Sequence, residues 1–191
     1  MRVLLEKIEI AAQVGVDWIQ IREKDLSGRE LAALVTEAVR RAPSSCRILV
    51  NDRLDVAMAC DAGGVHLGEQ SIAAQDAKKL LQERNARREF LVGVSTHSLE
   101  SVRRAEEAGA DYAIFGPIFA TPSKAGYGPP QGIDELARVS RSVKIPVIAV
   151  GGITADNAEE CAKAGAAGIA AIRMFQDARD LTAVVRKLRG T

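Results

Sequence analysis

The sequence predicts an α/β protein of the (β/α)8 TIM-barrel type, because short apolar segments alternate with amphipathic segments along the whole chain. This alternation is typical of parallel strands covered by helices, and parallel strands are apolar because both of their faces are buried. The units recur about every 25 residues, which is the spacing of such a barrel. A length of 191 residues fits one domain, so we expect residues 1–191 to form a single barrel domain.

Seven apolar runs carry the predicted strands, and amphipathic segments carry the helices between them. The strand runs are Asp17–Glu23, Arg47–Asp52, Gly63–Glu69, Phe90–His97, Tyr112–Ile118, Pro146–Gly152 and Ala167–Met174. The predicted helices include Gly28–Arg41, Ile72–Arg84, Leu99–Ala108, Ile133–Ser142 and Asp156–Ala164. Gly15, Gly109 and Gly165 are expected to end helices, because glycine adopts the left-handed conformation that stops one.

The strand count leaves the predicted barrel incomplete. The chain begins in the segment that should follow strand one, so we expect the first strand of the barrel to be missing from it. Because an open parallel edge exposes unpaired backbone groups, we expect either a gene start upstream or a homo-oligomer that covers the gap. A doubly wound open sheet is the main alternative, but such sheets usually carry a glycine-rich phosphate loop after the first strand, and this sequence has none there.

Composition and charge exclude several classes of protein. The formal net charge is +1 and no basic stripe with interleaved aromatics is present, so nucleic acid is not an expected partner. No apolar run is long enough to span a bilayer, and the first residues lack the pattern of a signal peptide. Cys46, Cys60 and Cys161 stand far apart without metal-binding spacing, which indicates reduced, mostly buried thiols in a cytoplasmic protein.

Polar residues follow the first predicted strand, at the end where a barrel places its active site. Gln20, Arg22 and Lys24 alternate with isoleucines, so they are expected to share one face of the strand. Two cations and an amide on one face suit a phosphate or pyrophosphate. Trp18 shares this face, which favours an interior position over the alternative, a solvated edge strand.

The next two strands end in oxygen-bearing side chains. Asp52 is a candidate Mg²⁺ ligand, because this ion prefers oxygen, and Asn51 is a candidate substrate-binding residue; helix capping is an equally weighted alternative for both. In the HLGEQS segment, Glu69 is the carboxylate available to a metal, Ser71 is a natural helix cap and His66 is more commonly structural.

Hydroxyl groups and a further cation follow the fourth and fifth strands. Ser95 lies in the GVSTH strand end, where Ser98 is the expected helix cap and a structural role is as well supported as a functional one. The longest connection, ATPSKAGYGPPQG, carries Thr121, Ser123 and Lys124. This cluster suits phosphate, and a plain surface loop is the alternative.

The last two strand ends provide a predicted phosphate site. Gly152 belongs to a glycine pair that precedes a helix, and Ile172 and Arg173 end the last predicted strand. Barrels commonly bind phosphate at their seventh and eighth loops, and glycine lets backbone N–H groups approach the anion closely.

Six short motifs occur along the chain, in the order QIREKD, NDR, HLG, GVSTH, GPIF with T-SK, and VGGI. In this order and spacing they resemble the thiamine phosphate synthase family and its relatives, the thiazole tautomerases of the TenI type. The resemblance covers nearly the whole chain and implies an Mg²⁺-dependent transferase. Such an enzyme condenses 4-amino-5-hydroxymethyl-2-methylpyrimidine diphosphate with a thiazole phosphate, carboxylated or plain, to give thiamine monophosphate and pyrophosphate. In the family, pyrophosphate leaves first and the thiazole nitrogen attacks the pyrimidine methylene cation, so preorganised positive charge is needed rather than a proton relay.

The resemblance also implies a role for each candidate residue. Arg22, Lys24 and Lys124 would be catalytic, through their charge on the departing pyrophosphate. The pyrimidine diphosphate would be bound by Gln20, Arg22, Lys24, Asn51, Ser95 and Lys124, and the thiazole phosphate by Thr121, Ser123, Gly152, Ile172 and Arg173. Asp52 would bind Mg²⁺, and the family's second metal position falls on Ser71.

Two positions depart from the usual family pattern. Ser71 replaces an aspartate, and our hypothesis is that Glu69, or a water held by Ser71, completes the metal shell. Arg173 replaces a small serine, and it either pairs with the thiazole phosphate or blocks its pocket.

Two other functions fit the same barrel. The tautomerase uses a histidine where this chain has Pro117, and it tends to lose the QIREK and NDR motifs, although Ser71 and the SKAGYGPPQG loop resemble it. A non-catalytic ligand-binding or regulatory barrel would suit the altered metal position and the absent strand. The synthase alone would release pyrophosphate from the two substrates with Mg²⁺.

Overall fold

A computed structural model describes residues 2–86, 89–121 and 129–190, and in these ranges strands and helices alternate as the sequence predicts. The strands are β1 (Trp18–Ile21), β2 (Arg47–Asn51), β3 (Gly64–Leu67), β4 (Leu91–Thr96), β5 (Tyr112–Phe115), β6 (Val147–Val150) and β7 (Gly168–Ala170). The helices are α1 (Arg2–Gln13), α2 (Gly28–Arg41), α3 (Leu54–Ala59), α4 (Ala74–Glu83), α5 (Leu99–Glu107), α6 (Gly132–Ser142), α7 (Ala158–Lys163), α8 (Arg173–Gln176) and α9 (Leu181–Arg189).

The chain divides into two compact units, Met1–Gly93 and Val94–Thr191. In the first unit, β1, β2 and β3 are parallel neighbours in chain order, and Trp18 pairs with Arg47. In the second unit, β5, β6 and β7 are paired in the same way. Parallel pairing confirms the α/β class, whereas the closed barrel, the single domain and the absent first strand stay predictions.

Aliphatic side chains fill the core of the first unit, as the low aromatic content requires. Val35, Val50 and Val65 are fully buried, and Leu34 is 1% exposed. Gly64 lies so close to β4 that an added Cβ would collide with the Leu91 carbonyl oxygen. The absence of a side chain at Gly64 therefore allows β3 to lie close to β4 at this point.

The core of the second unit is built around β5 and β6. Val102, Phe115, Leu136 and Val139 are buried together with the free thiol of Cys161. No helix within the described ranges is long and apolar enough to cross a membrane.

Several local predictions are confirmed. Gly15, Gly109 and Gly165 follow helices with φ of 98°, 78° and 92°, which is the left-handed region. Ser98 caps α5, where its hydroxyl accepts a hydrogen bond from the Ser101 N–H. Of the cysteines, Cys46 and Cys161 are buried and Cys60 is half-buried, and all three are free, as expected.

Three other predictions are wrong. Ser71 does not cap a helix, because α4 begins only at Ala74. Arg173 does not end the last strand, because β7 stops at Ala170 and Arg173 is the first residue of α8. Trp18 does not lie on an interior face; it is 36% exposed.

Candidate active site

Asp52 follows β2 in an unusual backbone conformation that presents its carboxylate. Its φ is 59°, and its N–H donates to the carbonyl oxygen of His66 at 2.9 Å, which ties the end of β2 to β3. The capping alternative fails for this residue, because Arg53 is the N-cap of α3 and no side chain caps that helix. A strained residue that does not cap a helix is typical of a functional position.

The Asp52 carboxylate is the centre of a hydrogen-bond network. Its Oδ1 accepts from the Gly68 N–H at 3.1 Å and from the Ser71 hydroxyl, and its Oδ2 accepts from Asn51 Nδ2 at 2.7 Å. The Oδ1 of Asn51 in turn accepts from Gln20 Nε2 at 2.8 Å. The structure thus brings four of the predicted site residues, at positions 20, 51, 52 and 71, into one connected network.

The network keeps Asp52 ionised. Burial raises the pKa of this carboxyl. The hydrogen bonds from Ser71, Gly68 and Asn51 together lower the pKa by more than burial raises it, so the pKa lies below its ordinary value. A carboxylate in this state is negatively charged at neutral pH, which a cation ligand requires.

The two predicted cations of this unit lie beyond the end of β1. Arg22 and Lys24 are both exposed and follow the strand rather than forming part of it.

His66, in β3, is buried and neutral. Burial lowers its pKa to about 4; the charge of Asp52 acts to raise this pKa, and the charge of Arg22 acts to lower it. With this pKa and only 3% exposure, His66 is neutral at physiological pH, in keeping with a structural role.

The oxygen-bearing side chains around Asp52 are of the kind that Mg²⁺ prefers. Among residues 2–86, 89–121 and 129–190, no three His, Cys, Asp or Glu side chains converge into a metal site. Glu69 is exposed, and the Ser71 hydroxyl donates to Asp52 Oδ1. Mg²⁺ usually keeps several waters and is bound by one or two carboxylates plus substrate phosphates, so one ionised aspartate is compatible with it.

A second cluster lies in the other unit. Arg173 Nη2 donates to the Thr121 hydroxyl at 3.0 Å. Gly152, with φ of 65°, is so close to the residue before Thr121 that an added Cβ would lie 2.8 Å from the Ala120 carbonyl oxygen. Three of the residues predicted to bind the thiazole phosphate therefore share one corner of this unit.

The diglycine turn in this corner is held from both sides. The N–H of Phe119 donates to the Gly151 carbonyl oxygen at 3.0 Å, and Asn157 Nδ2 donates to the Gly152 carbonyl oxygen at 3.0 Å. Asn157 also accepts from the Thr154 N–H at 2.8 Å. The sequence analysis missed Asn157, although a Thr and an Asn three residues apart before a helix are a recognisable local hydrogen-bonding signal.

The structure describes two of the four remaining predicted site residues. Ser95 is half-buried within β4, and Ile172 is 64% exposed. Ser123 and Lys124 lie outside the described residues. His97 Nδ1 contacts the Gly116 carbonyl oxygen, and because a carbonyl only accepts, this nitrogen carries the proton.

Known proteins resemble this chain in sequence and in structure. Residues 1–175 match the model of a family described as thiamine monophosphate synthase. The chain is 41% identical over 191 residues to the thiamine-phosphate synthase of Moorella thermoacetica, covering 98% of this chain and 88% of that protein. It is 38% identical over 189 residues to the thiamine-phosphate synthase of Syntrophomonas wolfei, with the same coverage. The structure of thiamine phosphate pyrophosphorylase from Pyrococcus furiosus superposes with a TM-score of 0.86 at 34% identity, covering 97% of this chain and 87% of that chain.

Proposed function

Because the chain belongs to the thiamine monophosphate synthase family, whose members are transferases, we propose that it condenses a pyrimidine diphosphate with a thiazole phosphate. The C–O bond between the pyrimidine methylene carbon and the diphosphate breaks, and a C–N bond to the thiazole nitrogen forms. The products are thiamine monophosphate and pyrophosphate, with carbon dioxide in addition when the thiazole carries a carboxylate.

The observation that carries the proposal is the family match over residues 1–175, with the ionised Asp52 network as its structural counterpart. In the proposed roles, Gln20 and Asn51 orient the pyrimidine diphosphate, and Arg22 and Lys24 attract the oxygens of its leaving group. Fixed charges that act on the leaving group lower the barrier, because they stabilise charge that develops in the transition state. Bound Mg²⁺ would be held by Asp52 and would neutralise part of the pyrophosphate charge.

The corner formed by Thr121, Gly152 and Arg173 is the proposed site for the thiazole phosphate. A guanidinium and a hydroxyl joined at 3.0 Å provide donors for one anion. Gly152 has a left-handed backbone and no side chain to cover the turn, so an anion could approach the backbone N–H groups there. Ile172 and Ser123 complete this proposed site, and Ser95 and Lys124 complete the one for the pyrimidine diphosphate, on the family resemblance.

The proposed substitution needs no proton relay from the protein. His66 is neutral and buried, and His97 donates its Nδ1 proton to a backbone carbonyl. The closed barrel, a homo-oligomer and a cytoplasmic location, all predicted from the sequence, belong to this proposal as well.

Pyrophosphate release tests the proposal directly. The purified protein is mixed with both substrates and Mg²⁺, and we expect stoichiometric pyrophosphate and thiamine monophosphate. Asp52→Asn removes the charge of the network with little change of shape, and we expect kcat to fall about 10²-fold or more, by analogy with the loss of one transition-state contact. Glu159→Gln removes the charge of an exposed carboxylate that pairs with Lys163 on α7, so it is the control and should keep its activity. Conversion of the thiazole isomer without pyrophosphate would instead identify a tautomerase, and binding without either reaction a regulatory protein.

A further inference from the structure

The residue at position 71 gives this chain a metal site that differs in charge from the pattern its motifs resemble. We infer that Ser71 is a positioning residue for Asp52 and that, as a result, Mg²⁺ binds this protein appreciably only together with a diphosphate. The inference rests on the proposed function, because it concerns the same site.

The contacts of Asp52 show how Ser71 acts. An ionised carboxylate offers about four lone-pair positions for hydrogen bonds or metal bonds. The Ser71 hydroxyl donates to Oδ1, which also accepts the longer branch of the bifurcated Gly68 N–H at 3.1 Å, and Asn51 donates to Oδ2. The carboxylate is therefore held in a fixed orientation, and Oδ2, which accepts one bond, is the oxygen best placed to bind a cation.

The Ser71 hydroxyl is itself fixed from the backbone. It accepts from the Gly68 N–H at 2.7 Å, and the Ser71 N–H donates to the Gly68 carbonyl oxygen at 3.1 Å. Since its oxygen accepts from Gly68, its hydrogen is free to point at Asp52 Oδ1. Ser71 therefore donates to the carboxylate from a closed local turn, and this does not depend on a metal.

The charge of the site follows from this arrangement. With Ser71 in place of a second carboxylate, the hydrogen-bond network of Asp52 contains one negative charge, and the neighbouring Glu69 is exposed. One exposed carboxylate attracts a divalent cation only weakly in water. Diphosphate oxygens must therefore provide the remaining ligands. By linkage, Mg²⁺ and diphosphate then raise each other's affinity by the same factor.

Isothermal titration with Mg²⁺ and inorganic pyrophosphate tests the inference without any turnover. For the wild-type protein we expect Mg²⁺ affinity to rise about tenfold or more when pyrophosphate is present. Ser71→Asp adds the second carboxylate, so Mg²⁺ alone should then bind measurably and the coupling factor should fall. In thermal melts, Ser71→Asp should lose stability in EDTA, because two carboxylates face each other, and recover it with Mg²⁺.

Two further variants separate positioning from a merely structural role. Ser71→Ala should weaken Mg²⁺ binding in the presence of pyrophosphate about tenfold, as the loss of an outer partner of a metal ligand typically does. Ser71→Thr keeps the hydroxyl and should restore most of the affinity. Ser98→Ala removes a capping hydroxyl from α5 and serves as the control, with lower stability but unchanged coupling.

The outcomes distinguish the inference from the proposed function. A wild-type protein that binds neither pyrophosphate nor its Mg²⁺ complex would contradict the proposed function itself. Wild-type protein that binds them in a coupled way, with Ser71→Asp and Ser71→Ala unchanged in Mg²⁺ affinity, would overturn the role of Ser71 alone. Tight binding of Mg²⁺ to the wild type without pyrophosphate would overturn the proposed dependence on diphosphate.

Discussion

Replacement of Gly152 by alanine combines two separable costs, which makes it a quantitative test of the diglycine turn. Its φ of 65° lies in the left-handed region, where a side chain costs about 1–2 kcal/mol. The new Cβ would also lie 2.7 Å from Phe119 Cβ and 2.8 Å from the Ala120 carbonyl oxygen. Such crowding typically costs about 1–3 kcal/mol more. We therefore expect Gly152→Ala to lower the free energy of unfolding by about 3 kcal/mol.

Gly132→Ala is the matched control for the conformational part of this cost. Gly132 has φ of 79°, and an added Cβ would meet no atom of the described residues within 4 Å. It should therefore lose only the first part, about 1–2 kcal/mol. Urea unfolding followed by circular dichroism measures both variants. Equal losses in the two proteins would refute the packing argument. In the assay of pyrophosphate release, Gly152→Ala should also raise KM for the thiazole phosphate, because the methyl group narrows the turn.

Three other predictions concern charge, pH and thiol chemistry. Arg173→Ser should raise KM for the thiazole phosphate about tenfold or more, as the loss of a charged hydrogen bond does, and leave KM for the pyrimidine diphosphate unchanged. Arg173→Lys should recover part of the loss. If Arg173→Ser instead lowered KM for the thiazole phosphate, the arginine would obstruct the site. The pKa of His66 is about 4 in the folded protein and 6.5 in the unfolded chain. Between these pH values the unfolded state binds more protons, so the free energy of unfolding should fall by about 3 kcal/mol as the pH drops from 6.5 to 4. His66→Gln should flatten this part of the pH–stability curve. Burial raises the pKa of Cys46 to about 11 and also raises that of Cys161, so a thiol reagent at pH 8 should modify the half-buried Cys60 first. Mass spectrometry of the labelled peptides measures the order of reaction, and earlier labelling of Cys46 would contradict this prediction.

The features that the sequence predicts best are those that a residue type dictates locally. Gly109 and Gly165 end helices because few other residues tolerate a positive φ, and Ser98 caps α5 because its hydroxyl replaces a missing backbone partner. The grouping of Gln20, Asn51 and Asp52 was also predictable, because parallel strands bring their carboxyl ends to the same edge.

The features that the sequence misses depend on contacts between distant segments. Ser71 has the residue type of a helix cap, but Asp52, 19 positions earlier in the chain, competes successfully for its hydroxyl. Arg173 follows an apolar run, and the apolar pattern alone predicts a strand that continues to this residue. In the structure β7 has only three residues, and α8 begins at Arg173. The local turn of Thr154 and Asn157 could be recognised from the sequence, but the bond from Asn157 to the Gly152 carbonyl oxygen could not, because a backbone acceptor leaves no residue type to identify it.

The partial exposure of Trp18 has a practical consequence for spectroscopy. It is the single tryptophan of the chain, and it lies at the start of β1, two residues before the amide that bonds Asn51. Its fluorescence emission therefore reports on the unit that ends at Gly93. Unfolding curves recorded by tryptophan emission and by circular dichroism would coincide only if both units unfold in one cooperative step.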